Sequence, residues 1–183
     1  MNARLNRRYR EAPWYKYTDG AGLVAIDLGK RKVGVAVFDE LGVLRAAQTV
    51  YTQRNTQEWD PWITADAVQD TVTEYLVALG LTMPFDWVCE WPELREKDRR
   101  NHHNITALQQ VGIYIERSQP WKERYRPSEW KRQVAKDLHH QRLKDALEDG
   151  EVEIWAALGH DARDAVGIGL FAMGRVDAIG RSL

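Results

Sequence analysis

Apolar side chains along this 183-residue chain recur with two different periods. Leu23-Val24-Ala25-Ile26 is a short continuous apolar run that ends in Asp27, and Val33-Gly34-Val35-Ala36-Val37-Phe38 follows after a few residues. Runs of this kind, rich in β-branched residues and joined by turn residues, read as hairpin strands. We read strands over 22–28, 32–38 and 42–51, with Asp39-Glu40-Leu41-Gly42 as the second turn, which makes an antiparallel meander. The period then changes. Ala65, Val68, Val72, Tyr75 or Leu76, and Leu79 recur in steps of three and four, the spacing of one helix face, between Asp60-Pro61 and Gly80. A fourth strand is predicted from Pro84 to Glu90, and Pro92 bars its continuation in a ladder. Ile105, Leu108, Val111 and Ile115 predict a second helix, and Tyr125 to Pro127, with the residues before them, a short fifth strand. Further helices are predicted from Pro127, over 138–147, and from His160 to Gly174, with 151–158 as a connection or short helix. This order predicts an α/β fold with a mixed five-stranded sheet, antiparallel meander plus parallel strands, flanked by helices. The helix after the meander acts as a crossover, so the fourth strand should run parallel to the first. Asp27 and Glu90 then lie at the same end of adjacent strands.

Composition narrows the class. Apolar residues make up 44%, enough for a core, and the single Cys89 excludes an intramolecular disulfide and suits a reducing compartment. No apolar run approaches the ~18 residues of a membrane span, so the expectation is a soluble, cytoplasmic protein. Residues 1–20, with Arg4, Arg7, Arg8, Arg10, Trp14, Tyr15 and Tyr17, read as a basic aromatic arm, and 21–183 as the folded domain. Net charge is −1, but its distribution is uneven. Lys30, Arg31 and Lys32 follow Asp27. Arg95, Lys97, Arg99 and Arg100 follow the fourth strand, and Lys122, Arg124, Arg126, Lys131 and Arg132 form a third patch. Acids gather at 145–164. Basic patches around carboxylates are what a metal-dependent nuclease needs: cations for phosphates, anions for metals.

The carboxylates carry the chemistry. Asp27 and Glu90 end apolar strands, where an unbalanced charge is costly. Asp161 and Asp164, three apart, share one face at the start of a helix that could cover the same sheet. Four clustered carboxylates repel one another unless cations lie among them. Two Mg²⁺ ions could activate water and stabilise the leaving oxygen at phosphorus. Asp27 is the candidate to bridge the ions, with Glu90 on one and Asp161 and Asp164 on the other. His160 is read as a helix cap, with water orientation or metal binding as the alternatives. His102, His103, His139 and His140 lack zinc spacing to a cysteine and are read as surface or DNA-facing. There is no Ser-His-Asp pattern or P-loop, and Cys89 is read as packed.

The chain resembles the RuvC family of Holliday-junction resolvases, in the ribonuclease H-like superfamily. The resemblance rests on Ala25-Ile26-Asp27-Leu28-Gly29 with Gly34-Val35-Ala36-Val37, on Val88-Cys89-Glu90, and on Asp161-Ala162-Arg163-Asp164-Ala165-Val166-Gly167-Ile168. Pro127-Ser128-Glu129-Trp130-Lys131 is similar to the family's lysine-bearing segment. The likeness spans 22–174 in order and spacing. It implies a ribonuclease H-like fold and a homodimer that cuts two strands of a four-way junction with Mg²⁺ or Mn²⁺. Asp27, Glu90, Asp161 and Asp164 would be the catalytic acids and metal ligands, with Lys131 near the scissile phosphate. Lys30, Arg31, Lys32, Trp91, Arg95, Lys97, Arg99, Arg100 and Arg132 are expected to bind the DNA. The chain departs from the family at Trp91-Pro92-Glu93-Leu94, where members often carry an aromatic wedge, and in the added arm. A divergent, phage-type member would fit both differences.

Three other readings share part of this pattern. An actin-like or sugar-kinase fold uses the same Asp-x-Gly hairpin but needs two such domains. A YqgF-like nuclease acting on RNA shares Ile26-Asp27-Leu28-Gly29 but does not require Glu90. A protein that holds branched DNA without cutting it would need only the basic patches.

Overall fold

The computed structural model describes residues 20–52, 59–93, 102–132, 134–178, 180 and 182. Five strands form one sheet: β1 (Gly22–Asp27), β2 (Lys32–Phe38), β3 (Leu44–Tyr51), β4 (Phe85–Glu90) and β5 (Trp121–Tyr125), in the order β3-β2-β1-β4-β5. The meander β1–β2–β3 is antiparallel, while β4 runs parallel to β1 and β5 parallel to β4. The predicted mixed sheet is therefore present. The fifth strand consists of Tyr125 and the four residues before it and stops short of Pro127, because Pro127 already starts a helix.

Among the described residues six helices flank the sheet: α1 (Pro61–Ala78), α2 (His102–Glu116), α3 (Pro127–Trp130), α4 (Lys136–Asp145), α5 (Asp149–Ala156) and α6 (His160–Ala172). The stretch at 151–158 is thus mostly helix. The Asp60 carboxylate accepts a hydrogen bond from the Trp62 amide at 2.8 Å and starts α1. Leu79 is not on the buried face; it is the C-cap of α1 and is exposed. No helix among the described residues is long and apolar enough to cross a membrane.

Strand alternation divides the core into two layers. Val24, Ile26, Val33, Val35, Val37 and Cys89 pack toward α1 and α2, against Ala65, Val68, Val72, Val111 and Ile115. Leu23, Ala25, Ala36, Phe38 and Val88 pack toward Ala165, Val166, Ile168 and Leu170 of α6, with Trp130, Leu143 and Trp155 behind. Each fully buried valine, leucine or isoleucine contributes about 1.5–3 kcal/mol, so both layers hold the sheet. Helix α6 is buried on most of its circumference, between the sheet on one side and Trp130, Leu143 and Trp155 on the other. Gly169 lets α6 come close, since a Cβ there would overlap the Phe38 ring. Burial also raises the Cys89 thiol far above its ordinary range, so it stays protonated and packed.

Candidate functional site

Alternation decides where the strand-end acids point. Leu23 and Ala25 face α6, so Asp27, two residues on, faces the same way; Glu90 follows Val88 by the same rule. The two acids are direct partners across the parallel β1–β4 ladder. Gly34 is the partner of Asp27 on the other side. A Cβ on Gly34 would overlap the carbonyl oxygen of Asp161, so only glycine lets the first turn of α6 rest on β2 there. Asp161 and Asp164 are thereby brought to the end of the sheet where Asp27 and Glu90 lie. Gly34→Ala is expected to lower stability by about 1–3 kcal/mol and to weaken any activity of this site, read as a urea midpoint beside an activity assay. A variant with both values unchanged would show that α6 does not depend on this approach.

The charges around Asp27 are unequal. Burial raises the Asp27 carboxyl well above its usual range, and Glu90, Asp164 and Asp161 add to the rise, while Lys131 opposes it. Glu90 accepts hydrogen bonds at one oxygen from the Trp130 indole at 2.7 Å and from the Lys131 ammonium at 2.7 Å. Burial alone would lower the Lys131 ammonium, but Glu90 and Asp27 outweigh it and leave it raised. Asp164 is nearly buried, with one oxygen 2.6 Å from His140 Nε2 and the other 3.1 Å from Lys136 Nζ. Burial pushes the Asp164 carboxyl up, but the bond with His140 and the charges of Lys131 and Lys136 bring it below its ordinary value.

The four acids expected at the site thus share one region, and Lys131 joins them. Among the described residues, no three His, Cys, Asp or Glu side chains converge closely enough to hold one ion as arranged. Glu90 and Asp164 are each engaged by a lysine, and the convergence is one of charge around Asp27. The donor set suits a hard divalent cation: all four side chains offer carboxylate oxygen, and the Asp27 carboxyl is raised by burial first and then by repulsion from the other three.

Lys30, Arg31 and Lys32 border the turn after Asp27, with Arg31 and Lys32 exposed. Lys30 lies over the Trp59 ring at 5.2 Å, and the Trp59 indole donates to the Lys30 carbonyl at 2.6 Å. Trp91 is half-buried against Gly112 and Leu28, under the Arg124 guanidinium at 4.3 Å. Arg132 is exposed, with a positive φ of 45°. Arg95, Lys97, Arg99, Arg100 and residues 1–19 of the arm lie outside the described residues. His102 and His103 are exposed as expected. His139 and His140 are not on the surface: both are buried, because α4 packs under α6 with His140 turned to Asp164. His160 is exposed and stacks on His140, with ring centroids 5.4 Å apart.

Sequence reasoning missed Trp130, Lys136, His140 and Gly34. Lys136 and His140 are four apart on α4, so both reach one carboxylate from a single helix face. That spacing was readable, but nothing local pointed it toward Asp164.

No family model matches the chain, and no curated protein matches it either. Solved structures do match, RuvC of Thermus thermophilus among them. The Thermus thermophilus RuvC structure superposes with a TM-score of 0.52 at 17% identity, over 84% of this chain and 92% of that one. RuvC of T. thermophilus in complex with a Holliday junction substrate superposes with a TM-score of 0.49 at the same identity and coverage. The first of these is a likeness of fold, and the fold is α/β of the RuvC, ribonuclease H-like kind.

Proposed function

We propose that this chain is a metal-dependent endonuclease that hydrolyses phosphodiesters in branched DNA, four-way junctions in particular. One observation carries the reading: Asp27 is half-buried at one end of the sheet, in the field of Glu90, Asp164 and Asp161, with Lys131 as the opposing cation. Such a centre is poorly balanced by protein groups alone. The ordered motifs at Asp27, Glu90 and Asp161–Asp164, on a fold similar to that of RuvC, support the same conclusion.

Asp27, Glu90, Asp161 and Asp164 would hold the divalent ion, Mg²⁺ or Mn²⁺, which when bound supplies Lewis-acid stabilisation and an activated water at phosphorus. Lys131 would leave Glu90 for the non-bridging oxygens of the scissile phosphate, and Lys136 would leave Asp164. Lys30, Arg31 and Lys32 would hold flanking phosphates, with no base preference of their own. Paired cuts in two strands would require two copies of the chain.

The lysine pairs on Glu90 and Asp164 favour one other reading, a protein that retains branched DNA without cutting it. Strand-specific mapping on a four-way junction, each arm labelled in turn, separates the two. The expected result is nicks placed symmetrically in two strands with Mg²⁺ and none with a chelator. Retention on a gel without nicks would leave the binding reading, and neither nicks nor retention would overturn both.

A further inference from the structure

A groove of about 350 Å³ lies between the edge strand β3 and the α5–α6 connection, lined among others by Ala47, Thr49, Tyr51, Ile154, Leu158 and Gly159. Apolar side chains make up most of its lining, with Gln48 and Thr49 as polar members, and among the described residues no acid lines it. Tyr51 is 74% exposed, an unusual state for a large aromatic with an apolar groove beside it. Lys32, its partner across the β2–β3 ladder, places its ammonium 5.4 Å from the Tyr51 ring centroid.

Register ties this groove to the candidate site. Thr49 pairs with Gly34, and Gly34 pairs with Asp27. Alternation puts Asp27, Gly34, Thr49 and Tyr51 on one face of the sheet, the face that carries α6. Neighbouring strands are ~4.8 Å apart, so Thr49 is about 10 Å from Asp27 across the sheet. Gly159, at the other wall, immediately precedes His160 and Asp161 at the start of α6. The groove is therefore within reach of a nucleotide next to any phosphate bound at Asp27.

We infer that this groove binds an unpaired nucleobase of the strand being cut, stacked on Tyr51, with its phosphate on Lys32. The size is at the lower end of small-molecule sites and suits one flat ring system rather than a duplex. An aromatic face beside a cation is the usual platform for single-stranded nucleic acid, because every base offers a π face. The same contact would select substrates in which the flanking base is already unpaired, as at a branch, since a paired base must first be extruded. This inference deepens the nuclease reading and rests on it for the position of the cut.

The test uses 5-iodouracil placed at successive positions around the branch point of a four-way junction. Irradiation with the full chain in chelator, followed by mass spectrometry, reads which side chain each base touches. The expected result is a crosslink maximum at one flanking position, mapping to Tyr51 and lost in Tyr51→Ala. Cleavage with Mg²⁺ is expected to fall about tenfold in Tyr51→Ala and to stay near wild type in Tyr51→Phe. Because Tyr51 is exposed, the alanine variant should keep the wild-type urea midpoint. Crosslinks that map elsewhere, or wild-type cleavage by Tyr51→Ala, would overturn the inference while leaving the nuclease reading intact. A Tyr51 crosslink without cutting by the wild type would do the reverse.

Discussion

Asp27→Asn is expected to reduce cleavage by more than about a hundredfold, beyond the usual loss when a partner outside the ligand shell is removed, and yet to make the chain more resistant to urea at neutral pH. The two effects have one cause. The Asp27 carboxyl is raised by burial, then by Glu90, Asp164 and Asp161, so its ionised form is costly in the folded chain. A group whose folded pKa is raised contributes stability that is full below the unfolded pKa and is lost as pH rises through the folded pKa. Asparagine removes that loss. The advantage of the variant should thus be absent in acid, below the ordinary carboxylate range, and grow toward neutral pH. Asp164 has the opposite sign: its lowered pKa gives stability that is present above the unfolded value and lost as pH falls through the folded one. Added Mg²⁺ should raise the wild-type urea midpoint and leave that of Asp27→Asn nearly unmoved. A variant less stable than wild type at neutral pH would show that Asp27 is balanced by the protein itself, chiefly by Lys131.

Glu151→Ala is expected to cost about 3–5 kcal/mol of stability, the usual loss when one partner of a buried ion pair is removed. Glu151 is 1% exposed and Arg175 5%. The guanidinium meets both carboxylate oxygens, at 2.7 and 2.6 Å. The pair also satisfies backbone from separate parts of the chain: the Leu44 amide donates to Glu151 at 2.7 Å, and Arg175 donates to the carbonyls of Gly42 and Ala146 at 3.0 and 2.8 Å. It therefore fastens the β2–β3 turn, the end of α4 and the segment after α6 to the start of α5. Urea unfolding of Glu151→Ala, Arg175→Met and the double variant reads the coupling. The double variant should recover part of the loss, since no unpaired charge remains, but not all, since the Leu44 and Glu148 amides and the Gly42 and Ala146 carbonyls still lose partners. A single variant that loses less than about 1 kcal/mol would mean that water replaces the carboxylate.

The same division between local and distant causes explains what could be read in advance. The meander, the crossover helix and the parallel fourth strand follow from apolar period and turn residues, and each lies close to its expected bounds. The bounds of β5 are less legible because three of the five residues in Trp121-Lys122-Glu123-Arg124-Tyr125 are charged, and its pairing with β4 supplies what its own composition does not. The buried histidines were misread for a related reason. Helix α4, Lys136-Asp137-Leu138-His139-His140-Gln141-Arg142-Leu143-Lys144-Asp145, has too few apolar positions to announce an inner face. Its inner face is defined by Trp130, which stacks edge-on to His139, and by Asp164, which receives His140.

By itself the sequence determined the strands and helices, and through the two-residue alternation of β1 and β4 it determined that Asp27 and Glu90 share one face and one end of the sheet. Only the tertiary structure decided which groups answer those charges: Lys131 and Trp130 on Glu90, His140 and Lys136 on Asp164, and the absence of a side chain at Gly34 that admits Asp161. The reason is range. Backbone period and turn preference act between neighbours, whereas a buried carboxylate takes its partners from whatever the packing of remote helices brings within hydrogen-bond distance.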